Sequence, residues 1–169
     1  MLFRSLWAAA QLHACGKHIN IGAYHKHTWY LIRHGELLGY SQTEHLMVAA
    51  IARYHRRGLP KKRHESWQLI ESREDRRTVS AMALLLRLAA ALDRRPQPPL
   101  EGWKLRLKSQ PEARPDRLEI TLLAKAVPAD AAPVDLSLEC WSLQSCAAAV
   151  AETCGLELKG SVGIGRAHV

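Results

Sequence analysis

Residues 73–108 run Arg73-Glu74-Asp75-Arg76-Arg77-Thr78-Val79-Ser80-Ala81-Met82-Ala83-Leu84-Leu85-Leu86-Arg87-Leu88-Ala89-Ala90-Ala91-Leu92-Asp93-Arg94-Arg95-Pro96-Gln97-Pro98-Pro99-Leu100-Glu101-Gly102-Trp103-Lys104-Leu105-Arg106-Leu107-Lys108. A change of period inside this stretch decides the fold. Up to Leu92 the apolar residues Val79, Met82, Ala83, Leu85, Leu86, Leu88, Ala89 and Leu92 recur at helical spacing and leave little polar face, which predicts the central helix of a bundle. The run Arg94 to Pro99 then stops helix formation, because proline has no N–H to donate and its ring clashes with the preceding turn. Beyond it Trp103, Leu105 and Leu107 alternate with Lys104, Arg106 and Lys108, the period of a strand with one apolar face.

Working towards the N-terminus, three further segments have helical spacing: Leu2 to Cys15, His25 to His34 ending at Gly35, and Thr43 to Arg57. In the second, Trp29, Tyr30 and Ile32 are the expected core. In the third, Leu46, Ala49, Ala50, Arg53 and Tyr54 share a face, with Ser41 and Glu44 spaced as a capping box. Towards the C-terminus, Leu118, Ile120 and Leu122 alternate with Glu119 and Thr121, predicting a second strand antiparallel to the first across a turn at Pro111 to Asp116. One helix is expected from about Leu138 to Thr153, with Cys140, Leu143, Ala147 and Val150 inward and Gly155 as a left-handed cap. Leu156, Leu158 and Val162 supply one more strand. The expected architecture is mainly α: a helical domain over residues 1–95 and a small α/β domain over residues 100–169.

The chain has 169 residues, 47% of them apolar, and a net charge of +8. No apolar run approaches the roughly 20 residues that span a bilayer, which argues against a membrane protein, and the cysteine usage makes reduced thiols and a cytoplasmic location the expectation. The opening Met1 to Cys15 is not read as a signal peptide, because Gln11 and His13 interrupt its short apolar stretch. Cys15, Cys140, Cys146 and Cys154 form no C-x-x-C pair and are too sparse for a disulfide scaffold. The charge is unevenly placed. Residues 1–63 carry ten basic residues against two acids, Glu36 and Glu44, together with seven of the nine histidines, whereas residues 64–169 balance fourteen against fourteen. A polyanionic partner for the N-terminal part follows from that asymmetry.

Five ordered motifs sharpen the reading: Leu12-His13-Ala14-Cys15-Gly16, Tyr24-His25-Lys26-His27-Thr28-Trp29-Tyr30-Leu31-Ile32, Leu38-Gly39-Tyr40, Ala52-Arg53-Tyr54-His55-Arg56-Arg57, and Leu86-Arg87-Leu88-Ala89-Ala90-Ala91-Leu92-Asp93-Arg94. At these residues the chain resembles the C-terminal region of the Ppx/GppA family, the exopolyphosphatases and guanosine pentaphosphate phosphatases, over at least Leu2 to Arg95. The resemblance implies an HD-like helical domain followed by a small α/β domain. It also implies that phosphatase chemistry belongs to a separate pair of actin-like catalytic domains, of whose glycine-rich phosphate loops this chain has none. Met1 falls inside what the family makes a helix, which implies a truncated gene or a stand-alone remnant. A homodimer is the expected cover for Leu2, Phe3, Leu6 and Trp7.

Active HD enzymes hold a metal with histidine and carboxylate, since hard divalent cations favour oxygen donors beside imidazole. Here Ala14 and Ala90 stand where the resemblance places acids. A weaker alternative is a metal-dependent phosphohydrolase using His13, His25, His27 and His55, because three neutral imidazoles suffice for zinc with an open fourth position. The favoured ligand is polyphosphate or another phosphate-rich anion, held by Lys26, His27, Arg33, Arg53, His55, Arg56, Arg57, Lys61, Lys62 and Arg63, with no catalytic residue and no cofactor required. Arginine offers a planar fork and lysine a point charge, so a mixed patch suits repeating phosphates without fixed register. Nucleic acid is the remaining alternative, with Trp29, Tyr30 and Tyr54 interleaved among the cations.

Overall fold

The computed structural model describes residues 2–56, 58–109, 115–128 and 132–164. In order these form α1 (Leu2–Leu12), a 3-10 turn η1 (Cys15–His18), α2 (Tyr24–His34), α3 (Gln42–Tyr54), α4 (Glu65–Gln68), α5 (Arg73–Leu92), β1 (Leu100–Lys108), β2 (Arg117–Ala124), α6 (Ser137–Gln144), α7 (Ala147–Cys154) and β3 (Glu157–Ile164). The chain is mainly helical, with a small α/β region after the helices. It divides into two compact units, Met1–Arg87 and Leu88–Val169. No described helix is long and apolar enough to cross a membrane.

In the first unit the central helix is α3. Val48, Ala49, Ala50, Ile51 and Ala52 are all fully buried, and Met47 and Tyr54 nearly so. Three alanines let neighbouring helices approach from several sides at once, which the longer side chains of α5 do not. Helix α5 spans the expected residues and buries Val79, Met82, Ala83, Leu84 and Leu86, but Leu85 is 55% exposed. At 100° per residue the buried arc accommodates Leu84 or Leu85, not both. The same geometry corrects Tyr30: Trp29 and Ile32 are core, whereas Tyr30 is 60% exposed and packs at a tilt against His34 one turn along, ring centroids 4.5 Å apart. On α1, Ala8 and Ala9 are buried, while Phe3 and Trp7 face outward.

The start of α3 is fixed by the capping box that Ser41 and Glu44 predict. Ser41 N–H donates to Glu44 Oε2 at 2.9 Å and Glu44 N–H donates to Ser41 Oγ at 3.3 Å. One Arg4 guanidinium nitrogen adds 2.9 Å bonds to both carboxylate oxygens, tying α1 to this cap. The Ser41 backbone N–H chiefly, with Arg4 beside it, holds the Glu44 carboxyl below its usual range despite the opposing effect of burial. Arg87 does the corresponding work at the other end of α3, donating to the carbonyls of Tyr54 at 2.7 Å, His55 at 3.2 Å and Gly58 at 3.0 Å. Those carbonyls have no intrahelical donor, so a single cation in an apolar helix completes the C-terminus of its neighbour.

The second unit carries a three-stranded sheet in the order β1-β2-β3, with β1 and β2 antiparallel and β2 and β3 parallel. Trp103, Leu105 and Leu107 face Leu122, Ile120 and Leu118 across the ladder. The expected turn at Pro111 to Asp116 lies partly outside the described residues. Where one helix is expected over Leu138 to Thr153 there are two, α6 and α7, broken at Ser145–Cys146. The apolar spacing runs through the break, but Ser145 Oγ donates to the Ser142 carbonyl at 2.6 Å, diverting an acceptor from the helix ladder. Gly155 closes α7 with φ at +70°, as expected of a left-handed cap. Glu139 on α6 is fully buried, with one oxygen 2.9 Å from Arg95 Nε.

Candidate functional site

The first motif and the second meet at a close backbone crossing. Gly16 N–H donates to Thr28 Oγ1 at 3.1 Å, and that hydroxyl donates to the His13 carbonyl at 3.1 Å. Thr28 is fully buried. This crossing sets His13 against His55, ring centroids 5.0 Å apart and nearly perpendicular, with Tyr24 beside His55 at 5.8 Å and His25 beyond Tyr24 at 6.4 Å. Three of the four candidate histidines are therefore gathered at one place; His27 lies half-buried on another face of α2.

Both nitrogens of His55 are engaged. Nδ1 donates to the Ala52 carbonyl and Nε2 lies 3.0 Å from the Tyr24 hydroxyl, from which a neutral ring accepts. Burial chiefly, aided by His13, His25 and Arg87, pushes its pKa down to about 4, against a helping carbonyl bond to Ala52. His13 Nδ1 likewise donates to the Ala10 carbonyl at 2.6 Å. Among the described residues no three His, Cys, Asp or Glu side chains are placed to hold a metal ion. The cluster is built as a hydrogen-bonded core, and the metal-hydrolase alternative is not favoured.

A pH dependence follows. In the unfolded chain His55 protonates near 6.5, in the folded chain only near 4. The unfolded state therefore binds more protons between those values, and stability present above pH 6.5 falls by about 3 kcal/mol as pH drops to 4. Urea midpoints at constant m between pH 7.5 and 4 check this; a flat profile would mean a solvated, protonatable ring at position 55. The loss from Glu44 begins lower, as pH falls below the ordinary carboxylate range.

The cations occupy the rim around this core in two groups. One surrounds His64, whose pKa is lowered first by burial and then by Arg53, Arg63, Lys61 and Lys26. His64 Nδ1 accepts from the Lys61 N–H at 3.2 Å and lies 3.0 Å from the Tyr54 hydroxyl, on whose ring it stacks. Residues from α2, α3 and the segment before α4 thus share one positive field. The second group sits on Tyr24: Arg56 lies 4.4 Å and Lys17 5.2 Å from its ring centroid. Arg33 is drawn elsewhere, 3.8 Å from Glu65 and over Trp29. Lys62 is exposed, and Arg57 lies outside the described residues. Among the described residues the one ion pair made by these cations is that of Arg33 with Glu65.

The roles of Lys17, Tyr24, His64 and Arg87 are not among the expectations drawn from the sequence. Arg87 had one signal, a lone cation inside an apolar helix, and His64 another, three consecutive basic residues before it. For Lys17 there was none.

Comparison with known proteins agrees with the motifs. The family description "Ppx/GppA phosphatase, domain III" matches residues 1–144. A guanosine-5'-triphosphate,3'-diphosphate pyrophosphatase from Pseudoalteromonas translucida (strain TAC 125) is 45% identical over 56 residues, which are 33% of this chain and 11% of that protein. The matched stretch is thus a small part of that relative's length.

Proposed function

The chain belongs to the Ppx/GppA phosphatase family, matching its domain III, and from that premise we propose that it binds polyphosphate or a closely related phosphate-rich anion on its first unit and is not catalytic by itself. The observation that carries this reading is the convergence of Lys26, Arg53, Lys61 and Arg63 on His64. These four cations come from three segments, each acts on His64, and none has an ion pair among the described residues, an unrelieved positive charge that a bound polyanion would offset. Arg56 and Lys17 on Tyr24 extend the same surface. Hydrolysis in this reading belongs to a separate catalytic domain. The relative's substrate, as its name gives it, is also rich in phosphate. Of the expected basic set His55 drops out, because it is buried with both ring nitrogens engaged, and Arg33 is given least weight because it already has Glu65.

The test is polyphosphate affinity of the R53E/K61E variant. Affinity is expected to fall at least ten-fold, about 1.4 kcal/mol, and wild-type binding to weaken steeply between 50 mM and 300 mM salt. Unchanged affinity in a folded variant would remove this surface from the function. Binding to random single-stranded DNA as tight as to polyphosphate would instead support a nucleic-acid partner.

A further inference from the structure

The sheet of the second unit is covered on only part of its apolar face. Ile120, Leu122 and Leu158 on β2 and β3 are buried, and a Cβ added at Gly160 would come within 3.3 Å of Leu143 on α6, which places the helix cover over β3. On β1 the residues of that same face, Trp103, Leu105 and Leu107, are 56%, 53% and 62% exposed. Among the described residues strand β1 is also an edge of the sheet, with one side of its backbone without a ladder partner. The strip ends beside a cleft of about 300 Å3 lined by Leu92, Asp93, Leu100, Glu101 and Trp103.

Charge decides what fits. The opposite face of β1 presents Lys104, Arg106 and Lys108. Lys108 is paired with Glu119 at 3.1 Å, whereas Lys104 and Arg106 have no ion pair among the described residues. A second copy pairing edge to edge would set these cations beside their own counterparts, and like charges opposed across strands are destabilising. From this the geometry points to β1 as a docking edge for an extended segment of a partner protein that alternates apolar and acidic residues. Its apolar side chains continue the face of Trp103, Leu105 and Leu107, and its acids lie beside Lys104 and Arg106. Strand addition of this kind takes affinity from main-chain hydrogen bonds and specificity from alternate side chains.

The experiment uses the whole chain and two synthetic nonapeptides, one alternating valine with glutamate and one alternating valine with lysine. Calorimetric titration is expected to show the glutamate peptide binding at least ten-fold more tightly, with amide hydrogen exchange slowed within residues 103–108. In the K104E/R106E variant, whose changes are on exposed side chains, the preference is expected to reverse. Equal affinity for both peptides, no binding of either, or slowed exchange confined to residues outside β1 would overturn the proposal. So would concentration-dependent self-association that protects β1, which would assign the edge to a second copy. Polyphosphate affinity is read on the same variant and is expected to be unchanged, which keeps this test separate from that of the basic rim.

Discussion

Replacing Gly16 with alanine is expected to remove about 4 kcal/mol or more of folding stability, a large part of what a unit of this size has in total. A Cβ at this position would sit 2.2 Å from the Tyr24 carbonyl oxygen, 2.4 Å from the Thr28 nitrogen and 2.7 Å from Thr28 Oγ1. Two of the three obstacles are backbone atoms in the first turns of α2, so no side-chain rotation relieves the contact. The added methyl forces η1 away from α2, which also breaks the Gly16 to Thr28 bond and leaves its buried partners unsatisfied. Ordinary overpacking costs about 1–3 kcal/mol, and this case exceeds it because the backbone itself must move. Thermal or urea unfolding of G16A checks the value. A loss below about 1 kcal/mol would mean that the crossing of η1 and α2 is looser than described.

Replacing Arg95 with methionine is expected to destabilise the second unit by about 4 kcal/mol, through the group left behind. Glu139 is fully buried, and the nearest positive charge is Arg95, whose Nε lies 2.9 Å from Oε1 but is not aligned as a hydrogen bond. Neither Glu139 oxygen accepts a hydrogen bond from a described residue. The carboxylate thus depends on Coulomb attraction from a side chain that is itself 33% exposed and also 3.8 Å from Asp135. Without the arginine a desolvated charge remains in the interior under α6. The double variant R95M/E139M is expected to recover most of the loss, since replacing a poorly aligned buried pair with apolar residues is often neutral or stabilising. Urea unfolding of the two variants separates the cases: equal loss in both would mean that Arg95 matters through packing of its alkyl chain and not through charge.

Much of the architecture was legible because local chemistry and tertiary packing agree. Ser41 and Glu44 mark the start of α3, Gly155 marks the end of α7, and the proline run after Arg95 separates α5 from β1, each through backbone requirements that a sequence carries openly. The discrepancies come from packing that periodicity leaves open. Alternation marks Trp103, Leu105 and Leu107 as one face of a strand but says nothing about whether a helix reaches them. Leu84 and Leu85 are equally apolar, and only the position of α3 selects Leu84. The break between α6 and α7 is hidden because its apolar spacing is continuous. At the candidate site, charge asymmetry located the basic region, and the structure sorted it: Lys26, Arg53, Lys61 and Arg63 share one field, while Arg33 is taken by Glu65. Those groupings depend on which loop folds back over α2 and α3, and that is tertiary information.

The parallel pairing of β2 with β3 makes the two ladders of the sheet unequal in the sequence distance between their partners. The β1 to β2 ladder closes across a short connection, so it can form as soon as the Pro-rich break has turned the chain. Arg117 and Glu157, by contrast, meet across 40 positions of sequence, and a parallel partner is reached only by a crossover, here the α6–α7 pair. Loop-closure entropy must be spent before the first of those ladder bonds is gained. A hairpin of β1 and β2 alone would leave Ile120 and Leu122 open to solvent, so the crossover that brings β3 into the sheet also brings the cover that closes this part of its apolar face.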